Sequence, residues 1–173
     1  IRSVDQSYED YEPTKASRSI QDFVSEQLSN WYVRLCRRRF WKGEYTTDKV
    51  AAYQTLYECL ENIAIISAPI APFFMDRLFQ DLNSITKPSN SSSVHLANFP
   101  TYNSSIVNTG LERRMNLAQR LTSLALSLRK QEKIRVRQPL QKIMIPIFDN
   151  KTKNDIESMS EIIKRELNVK DIK

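Results

Sequence analysis

Glycine and histidine are scarce in this chain, and their scarcity removes several classes of site. Of the 173 residues only two are glycine, Gly43 and Gly110, and only one is histidine. Glycine-rich loops that cradle phosphates need several glycines close together, so the chain holds no such nucleotide-binding loop. Common zinc sites need clustered cysteine and histidine ligands, and we predict no metal site. His95 lies in a polar loop without a nucleophile motif beside it, so we also predict no catalytic residue.

Cysteine is rare, and no long apolar run is present. Cys36 and Cys59 each lie in a segment of helical apolar periodicity, which favours small core residues in a reducing compartment over a disulfide. The main apolar stretch without a charged residue, 62–75, has 14 residues and two prolines, too few to cross a bilayer. The N-terminal residues are acidic and polar, unlike a signal peptide. We therefore expect a cytoplasmic protein without a membrane segment. Because Ile1 stands where a methionine would begin a protein, we expect the chain to be part of a longer one.

Positive charge is abundant but unevenly distributed. Residues 34–42 hold five cations and no acid, and residues 112–137 hold eight cations and two acids. The overall charge is +6, so the rest of the chain carries a net charge of −5. Two basic clusters on an otherwise acidic molecule create a local positive potential that attracts a polyanion. The alternative is that each cluster is an ordinary solvated helix face, and the charge pattern leaves both interpretations open.

Apolar residues recur at three- and four-residue spacing along most of the chain, which predicts a mainly α-helical fold. The predicted helices cover residues 17–41, 47–68, 72–83 and 109–132. The short link around Pro69 predicts a sharp bend between the second and third of these helices rather than a hairpin. The later residues predict a strand over 140–147, a helix over 155–167 and a strand over 168–172. We therefore predict an antiparallel helical bundle over 1–138, with 1–16 irregular, and a small strand–helix–strand extension over 139–173.

The basic segment of the first long helix places several functional side chains on one face. An i, i+3, i+4, i+7 pattern is formed by Arg34, Arg37, Arg38 and Trp41, with Arg39 and Lys42 flanking it. Guanidinium groups at this spacing reach successive phosphates, and an exposed aromatic ring stacks an unpaired base. RNA is the more natural polyanion, because its loops offer splayed bases. We expect Trp31 and Phe40 in the core, whereas core packing and ligand contact remain equal alternatives for Trp41.

A second pair of cations lies after the last long helix. Residues 134–139 alternate between apolar and polar, which predicts extended backbone with Arg135 and Arg137 projecting to one side. The sequence thus offers two separate basic segments for contact with RNA.

Several blocks of the sequence resemble the anticodon-binding helical region of isoleucyl-tRNA synthetases. The blocks are NWYVRLCRRRFWKGE, DKVAAYQTLYECL and APIAPFFMDRL, followed by SVHLANFP, IRVRQPLQKIMI and RELNVKDI. They occur in the same order as in that family and cover the chain from about Ser17 to its end. The valyl and leucyl relatives share the helical architecture and the APIAPF-like bend, whereas the RRRFW block and the terminal ELNVK point to the isoleucyl branch.

This resemblance implies a role for the chain within a larger enzyme. The parent enzyme would use ATP and magnesium to activate isoleucine and load it onto the isoleucine-acceptor tRNA. The family's nucleotide-binding core, its editing domain and its zinc module have no counterpart here. RNA contact carries over to the matching basic positions, which are Arg34, Arg37, Arg38, Arg39, Trp41, Lys42, Arg135 and Arg137. We expect a monomer that binds tRNA, and neither DNA nor a membrane, with no cofactor of its own.

Two alternatives remain at this point. The chain could be the equivalent domain of a valyl- or leucyl-tRNA synthetase. It could also be a helical protein-interaction scaffold whose basic face binds an acidic partner. A steep loss of affinity with salt and a preference for tRNA over an acidic peptide would separate RNA binding from the scaffold.

Overall fold

In a computed structural model of the chain, residues 1–41, 43–86 and 91–173 are described. The fold is mainly α with a small α/β extension, as the sequence predicts. The helices and strands, in chain order, are α1 (Arg2–Glu9), α2 (Pro13–Asp22), a π-helical segment (Phe23–Val33), α3 (Arg34–Trp41), α4 (Thr47–Ser67), α5 (Pro72–Thr86), α6 (Thr109–Gln131), β1 (Leu140–Ile143), α7 (Asn150–Ser158), α8 (Ser160–Leu167) and β2 (Val169–Ile172). Single 3₁₀ turns lie at Val94–Leu96 and Ser104–Ile106.

The chain divides into two compact units, Ile1–Asn103 and Ser104–Lys173. This division differs from the domain boundary that we predicted between residues 138 and 139. The reason is the packing of α6, which contacts α7 and α8 within the second unit. A long amphipathic helix looks the same in sequence whichever neighbour covers its apolar stripe, so its periodicity could not assign it to a unit.

Residues 1–16 are helical, which corrects our prediction that they are irregular. Helix α1 begins at Arg2, and α2 begins at Pro13, where a proline suits the first turn. Val4 and Ala16 are buried and pack in one cluster with Ile66 of α4. The Tyr8 hydroxyl donates a hydrogen bond of 2.8 Å to the Ile66 carbonyl oxygen. The N-terminal helices therefore fold through contacts with α4, which lies far along the sequence.

The long basic helix is continuous from α2 to α3 but is not α-helical throughout. Between Phe23 and Val33 the backbone is π-helical, a wider conformation that is rare and usually short. Leu28 and Trp31 of this segment are buried, which confirms the core position expected for Trp31. The helix ends at Trp41, and Gly43 adopts a left-handed conformation with φ of 82°. A left-handed glycine just beyond the last turn is a common way for a helix to end, and the end at Trp41 agrees with the predicted helix over 17–41.

Helices α4 and α5 pack against each other as an antiparallel hairpin. The Tyr57 hydroxyl and the Asn83 Oδ1 lie 3.5 Å apart, and Ala64 shares a buried cluster with Phe79. These pairs run in opposite directions along the two helices, so our prediction of a sharp bend without a hairpin is wrong. The predicted boundaries hold, because Thr46 caps α4 and α5 begins at Pro72. The short link around Pro69 is long enough to reverse the chain.

The second unit contains α6, α7, α8 and a two-stranded parallel sheet. Strand β1 pairs with β2 in the register Leu140 to Val169 and Ile143 to Ile172. The single helix predicted over 155–167 is two helices that meet at Met159. Ile163 and Leu167 of α8 are fully buried. The small extension predicted for the end of the chain is therefore present, with a shorter first strand than the apolar run suggests.

Candidate nucleic-acid interface

Helix α3 presents arginines to solvent because its opposite side is fixed in the core of the first unit. Cys36 is buried, and the Phe40 ring centroid lies 5.0 Å from that of Tyr53 on α4. The Tyr53 hydroxyl also donates a hydrogen bond of 3.0 Å to the Phe40 carbonyl oxygen. These contacts attach one face of α3 to α4 and leave the other face outward.

The outward face carries the arginines that the spacing predicts. Arg34, Arg37 and Arg38 are exposed on a regular α-helix. Within the described part of the chain, Arg37 and Arg38 are in no salt bridge. Trp41 follows on the same face and is 81% exposed, so it is not a core residue. Because exposing an indole ring to water is unfavourable, a ring so placed is available to a ligand.

Arg39 lies apart from this exposed set because its guanidinium binds Asp48 at the start of α4. Its Nε and Nη2 donate hydrogen bonds of 2.7 Å to the two carboxylate oxygens, and Nη2 donates a third of 2.8 Å to the Asp48 carbonyl oxygen. Desolvation opposes the charge of Arg39, but the hydrogen bonds with Asp48 and with the Cys36 Sγ outweigh it and raise the pKa of Arg39. The bidentate pair makes Arg39 a link between α3 and α4.

The loop between α3 and α4 and the first turn of α4 add two residues that the sequence analysis did not single out. Tyr45 is 80% exposed, and Lys49 is only 7% exposed although lysine is seldom buried. The Lys49 ammonium donates a hydrogen bond of 3.3 Å to the Gly43 carbonyl oxygen and lies 4.6 Å from the Tyr45 ring centroid. The sequence signal was an aromatic residue just after the basic run. Lys42, which we predicted to contact RNA, lies outside the described residues.

In the second unit, Arg135 and Arg137 are exposed on a turn rather than on extended backbone. The Gln138 N–H donates a hydrogen bond of 3.0 Å to the Arg135 carbonyl oxygen, which closes the turn and corrects our extended prediction. The Asn168 side-chain amide donates hydrogen bonds of 3.1 Å to the Val136 and Arg137 carbonyl oxygens. Pairing with a side chain from the end of α8 replaces the strand pairing that alternation would suggest.

A buried arginine holds the same turn from α6. Arg129 is 5% exposed, and its guanidinium donates hydrogen bonds to the carbonyl oxygens of Arg135, Gln138 and Leu167. Counting charges along residues 112–137 does not distinguish this buried arginine from the exposed cations of the same segment. Three backbone carbonyls converge on its Nη1 and Nη2 atoms, as a buried charge requires, whereas its buried Nε has no hydrogen-bond partner within the described residues.

The structure therefore brings the predicted residues together in two groups, one in each unit. The first group is Arg34, Arg37, Arg38, Arg39 and Trp41 on α3, and the second is Arg135 and Arg137 on the turn after α6. Across residues 1–41, 43–86 and 91–173, no group of three or more histidine, cysteine or acidic residues could hold a metal ion. Burial and the nearby Glu58 raise the pKa of the Cys59 thiol, which disfavours its nucleophilic thiolate form. In the same described residues, no helix is long and apolar enough to span a membrane.

Comparison with known proteins assigns the chain to a family. The chain is 56% identical over 98% of its length to an isoleucine–tRNA ligase of Cytophaga hutchinsonii. It is 55% identical over its full length to an isoleucine–tRNA ligase of Bacteroides thetaiotaomicron, and 50% identical over its full length to that of Porphyromonas gingivalis. The chain spans about 15% of the length of each of these curated relatives. A family model described as the anticodon-binding domain of tRNA ligase matches residues 1–144, and the chain therefore belongs to this family.

Proposed function

We propose that this chain binds the anticodon stem and loop of the isoleucine-acceptor tRNA, as the RNA-binding part of an isoleucine–tRNA ligase. The observation that carries the proposal is the outward face of α3, where Arg34, Arg37 and Arg38 are exposed beside an exposed Trp41. Guanidinium groups in a row bind successive phosphates, and an exposed indole ring stacks on an unpaired base. The family match and the names of the relatives support tRNA and isoleucine as the partners.

Two groups of residues contribute to this proposal in different ways. Arg34, Arg37, Arg38 and Trp41 would contact the RNA, and Lys42 would extend their surface. Arg39, held by Asp48, would shape the end of α3 and bind phosphate only through the edge that the ion pair leaves open. Arg135 and Arg137 in the second unit would supply further phosphate contacts, because both are exposed and their turn is held by hydrogen bonds.

Catalysis would belong to parts of the ligase outside this chain. Loading isoleucine onto tRNA would use ATP and magnesium, and the residues present here do not fit either group. The two glycines are 67 positions apart, so no glycine-rich loop cradles phosphates. This chain would contribute by orienting the tRNA, because holding reactants in place lowers the entropic part of the activation barrier. The parent enzyme would be monomeric and cytoplasmic.

A charge-reversal experiment tests the proposal. Arg37→Glu with Arg38→Glu should weaken binding of a labelled anticodon stem-loop at least about 10-fold, because each charge-assisted hydrogen bond contributes on the order of 1.5–3 kcal/mol. The measurement is fluorescence anisotropy at fixed salt, with circular dichroism to verify unchanged helicity. The matched control is Lys15→Glu with Arg18→Glu on α2, which makes the same change in charge at exposed positions.

Two results would contradict the proposal. One is equal weakening by the α3 variant and the α2 control, which would indicate a general charge effect. The other is equally tight binding of an acidic peptide and of the stem-loop RNA. That second result would favour the protein-interaction scaffold. Comparison of isoleucine, valine and leucine stem-loops would test which tRNA is preferred.

A further inference from the structure

We propose that Tyr45 is a base-stacking residue of this interface, and that Lys49 positions its ring. The inference rests on the proposed function, because it names an additional contact with the same RNA loop. One face of the Tyr45 ring would receive an unpaired nucleobase, while the buried ammonium of Lys49 stays against the other face. The ligand class is an unpaired base of single-stranded RNA.

The exposure of Tyr45 is the first observation behind this inference. Its ring is 80% exposed, although the aromatic cluster of Tyr32, Phe40 and Tyr53 lies close to it in the chain. The Phe40 ring packs against the rings of Tyr32 and Tyr53, whereas Tyr45 is in no aromatic pair within the described residues. A tyrosine that stays outside an adjacent aromatic core contributes little to folding, and its open face can stack on a base.

The second observation is the placement of Lys49. This residue lies in the first turn of α4, where the helix dipole disfavours a cation, and yet it is 7% exposed. Its ammonium has two partners that explain this position, the Gly43 carbonyl oxygen at 3.3 Å and the Tyr45 ring at 4.6 Å from the centroid. A cation over an aromatic face at this distance is attracted by the ring. Lys49 therefore holds both the loop backbone and the tyrosine ring.

An aromatic ring that is already fixed in the free protein stacks on a base more favourably than a mobile ring does. Ordering a free side chain on binding costs entropy, and contacts already present in the free protein remove part of that cost. The Thr46 side chain caps α4 by accepting a hydrogen bond of 3.3 Å from the Lys49 N–H, which fixes the loop further. The loop presents Tyr45 in the bound arrangement before any RNA arrives.

The place of Tyr45 in the chain connects it to the arginine face. Tyr45 lies four positions after the exposed Trp41, so their Cα atoms lie at most about 15 Å apart. In the sequence, both aromatic residues come after the exposed cations Arg37 and Arg38. Phosphate contacts on α3 would hold the RNA backbone, and the two rings would each receive a base of the same loop. Proteins that bind single-stranded nucleic acids commonly combine cations that contact the backbone with aromatic rings that stack on bases.

The test combines affinity with a direct signal of stacking. A stem-loop RNA carries 2-aminopurine at one loop position at a time, and its fluorescence is quenched when the base stacks on a ring. With the 173-residue chain, Tyr45→Ala should weaken binding by about 5- to 100-fold and abolish the quenching at one loop position. Tyr45→Phe keeps the ring and should bind within about 2-fold of the unchanged chain. The matched control is Phe73→Ala, which removes another exposed aromatic ring from the same unit.

A double-variant cycle tests the role of Lys49. Lys49→Met keeps the length of the side chain and removes its charge, and should weaken both binding and quenching. Because Lys49 acts through the Tyr45 ring, Lys49→Met should cause no further loss in the Tyr45→Ala background. An equal loss in both backgrounds would overturn the positioning role. Circular dichroism spectra of the variants should be unchanged, which would verify that a loss of binding comes from the interface and not from unfolding.

The outcomes separate this inference from the proposed function. If Arg37→Glu with Arg38→Glu weakens binding and Tyr45→Ala does not, the arginine interface stands and base stacking on Tyr45 is wrong. If the unchanged chain fails to bind the stem-loop, both are wrong. Stacking on an uncharged ring releases no counterions, so Tyr45→Ala should leave the salt dependence of binding unchanged while lowering affinity. A changed salt dependence would show that Tyr45→Ala had disturbed the arginines instead.

Discussion

The Arg129 Nη2 lies 2.6 Å from the carbonyl oxygen of Arg135, so a buried arginine positions the backbone of an exposed one. The same guanidinium binds the Leu167 carbonyl oxygen at 3.2 Å. Arg129 therefore connects α6, the arginine-bearing turn and the end of α8 through a single side chain. The two arginines have the same chemistry and opposite roles, one structural and one available to a ligand.

Arg129→Met should destabilise the second unit. The substitution removes a buried donor and leaves carbonyl oxygens of the turn without a partner, which costs about 1–3 kcal/mol in unfolding free energy. Urea unfolding followed by circular dichroism measures this change. Arg135→Met is the matched control, because its side chain is exposed and its loss should change the unfolding free energy by less than about 0.5 kcal/mol. Equal effects of the two substitutions would contradict the structural role of Arg129.

Arg39→Met should act mainly on stability, and Arg38→Met mainly on RNA binding. Arg39 loses a partly exposed ion pair with Asp48, worth about 0.2–1 kcal/mol in unfolding free energy. Arg38 is exposed and in no salt bridge within the described part of the chain, so its loss should leave stability unchanged and weaken binding of the stem-loop. Urea unfolding and anisotropy titrations of both variants provide the measurements. If Arg39→Met weakened binding as strongly as Arg38→Met, Arg39 would belong to the contact surface.

Asp76 should make the first unit sensitive to acid. Hydrogen bonds from the Ser93 hydroxyl at 2.7 Å and the Val94 N–H at 2.9 Å lower the pKa of the Asp76 carboxyl. A lowered pKa in the folded state means that this stabilisation is present above the unfolded value of about 3.9 and is lost as pH falls through the folded value.

Asp76→Asn removes this titrating group and provides the comparison. The unchanged chain should be the more stable one near neutral pH, and the difference should shrink as the pH falls below about 4. Urea midpoints from neutral pH into the acid range measure this difference. A difference that stays constant with pH would contradict the assignment. The other carboxyl groups are the same in both proteins, so their contributions to the pH dependence of stability cancel in the difference.

Local signals in the sequence were enough to place several helix ends. Thr46 caps α4, Pro72 opens α5 and Gly43 takes the left-handed position after α3. Each of these residues acts on the backbone next to it, so the residue types near a helix end are enough to predict where the helix begins or ends. The face shared by Arg37 and Arg38 followed from helical spacing in the same way.

The features that sequence analysis missed depend on distant partners. Helix α1 is held by the bond between Tyr8 and Ile66, which are 58 positions apart. Arg129 is buried because carbonyl oxygens from beyond α6 reach it, one of them 38 positions away. Lys49 has nearer partners, Tyr45 and Gly43, four and six positions away, but they face it only when the loop has folded. No local pattern predicts such convergence.

The salt dependence of RNA binding tests the central claim most directly, which is that the exposed arginines of α3 contact phosphates. Arg37→Gln with Arg38→Gln removes two such contacts, and Lys15→Gln with Arg18→Gln on α2 is the control. Each phosphate contact contributes about 0.7–0.9 to the slope of log affinity against log salt. The account predicts that the α3 variant lowers this slope by about 1.4–1.8, while the α2 control leaves it unchanged. An unchanged slope in the α3 variant would contradict the account.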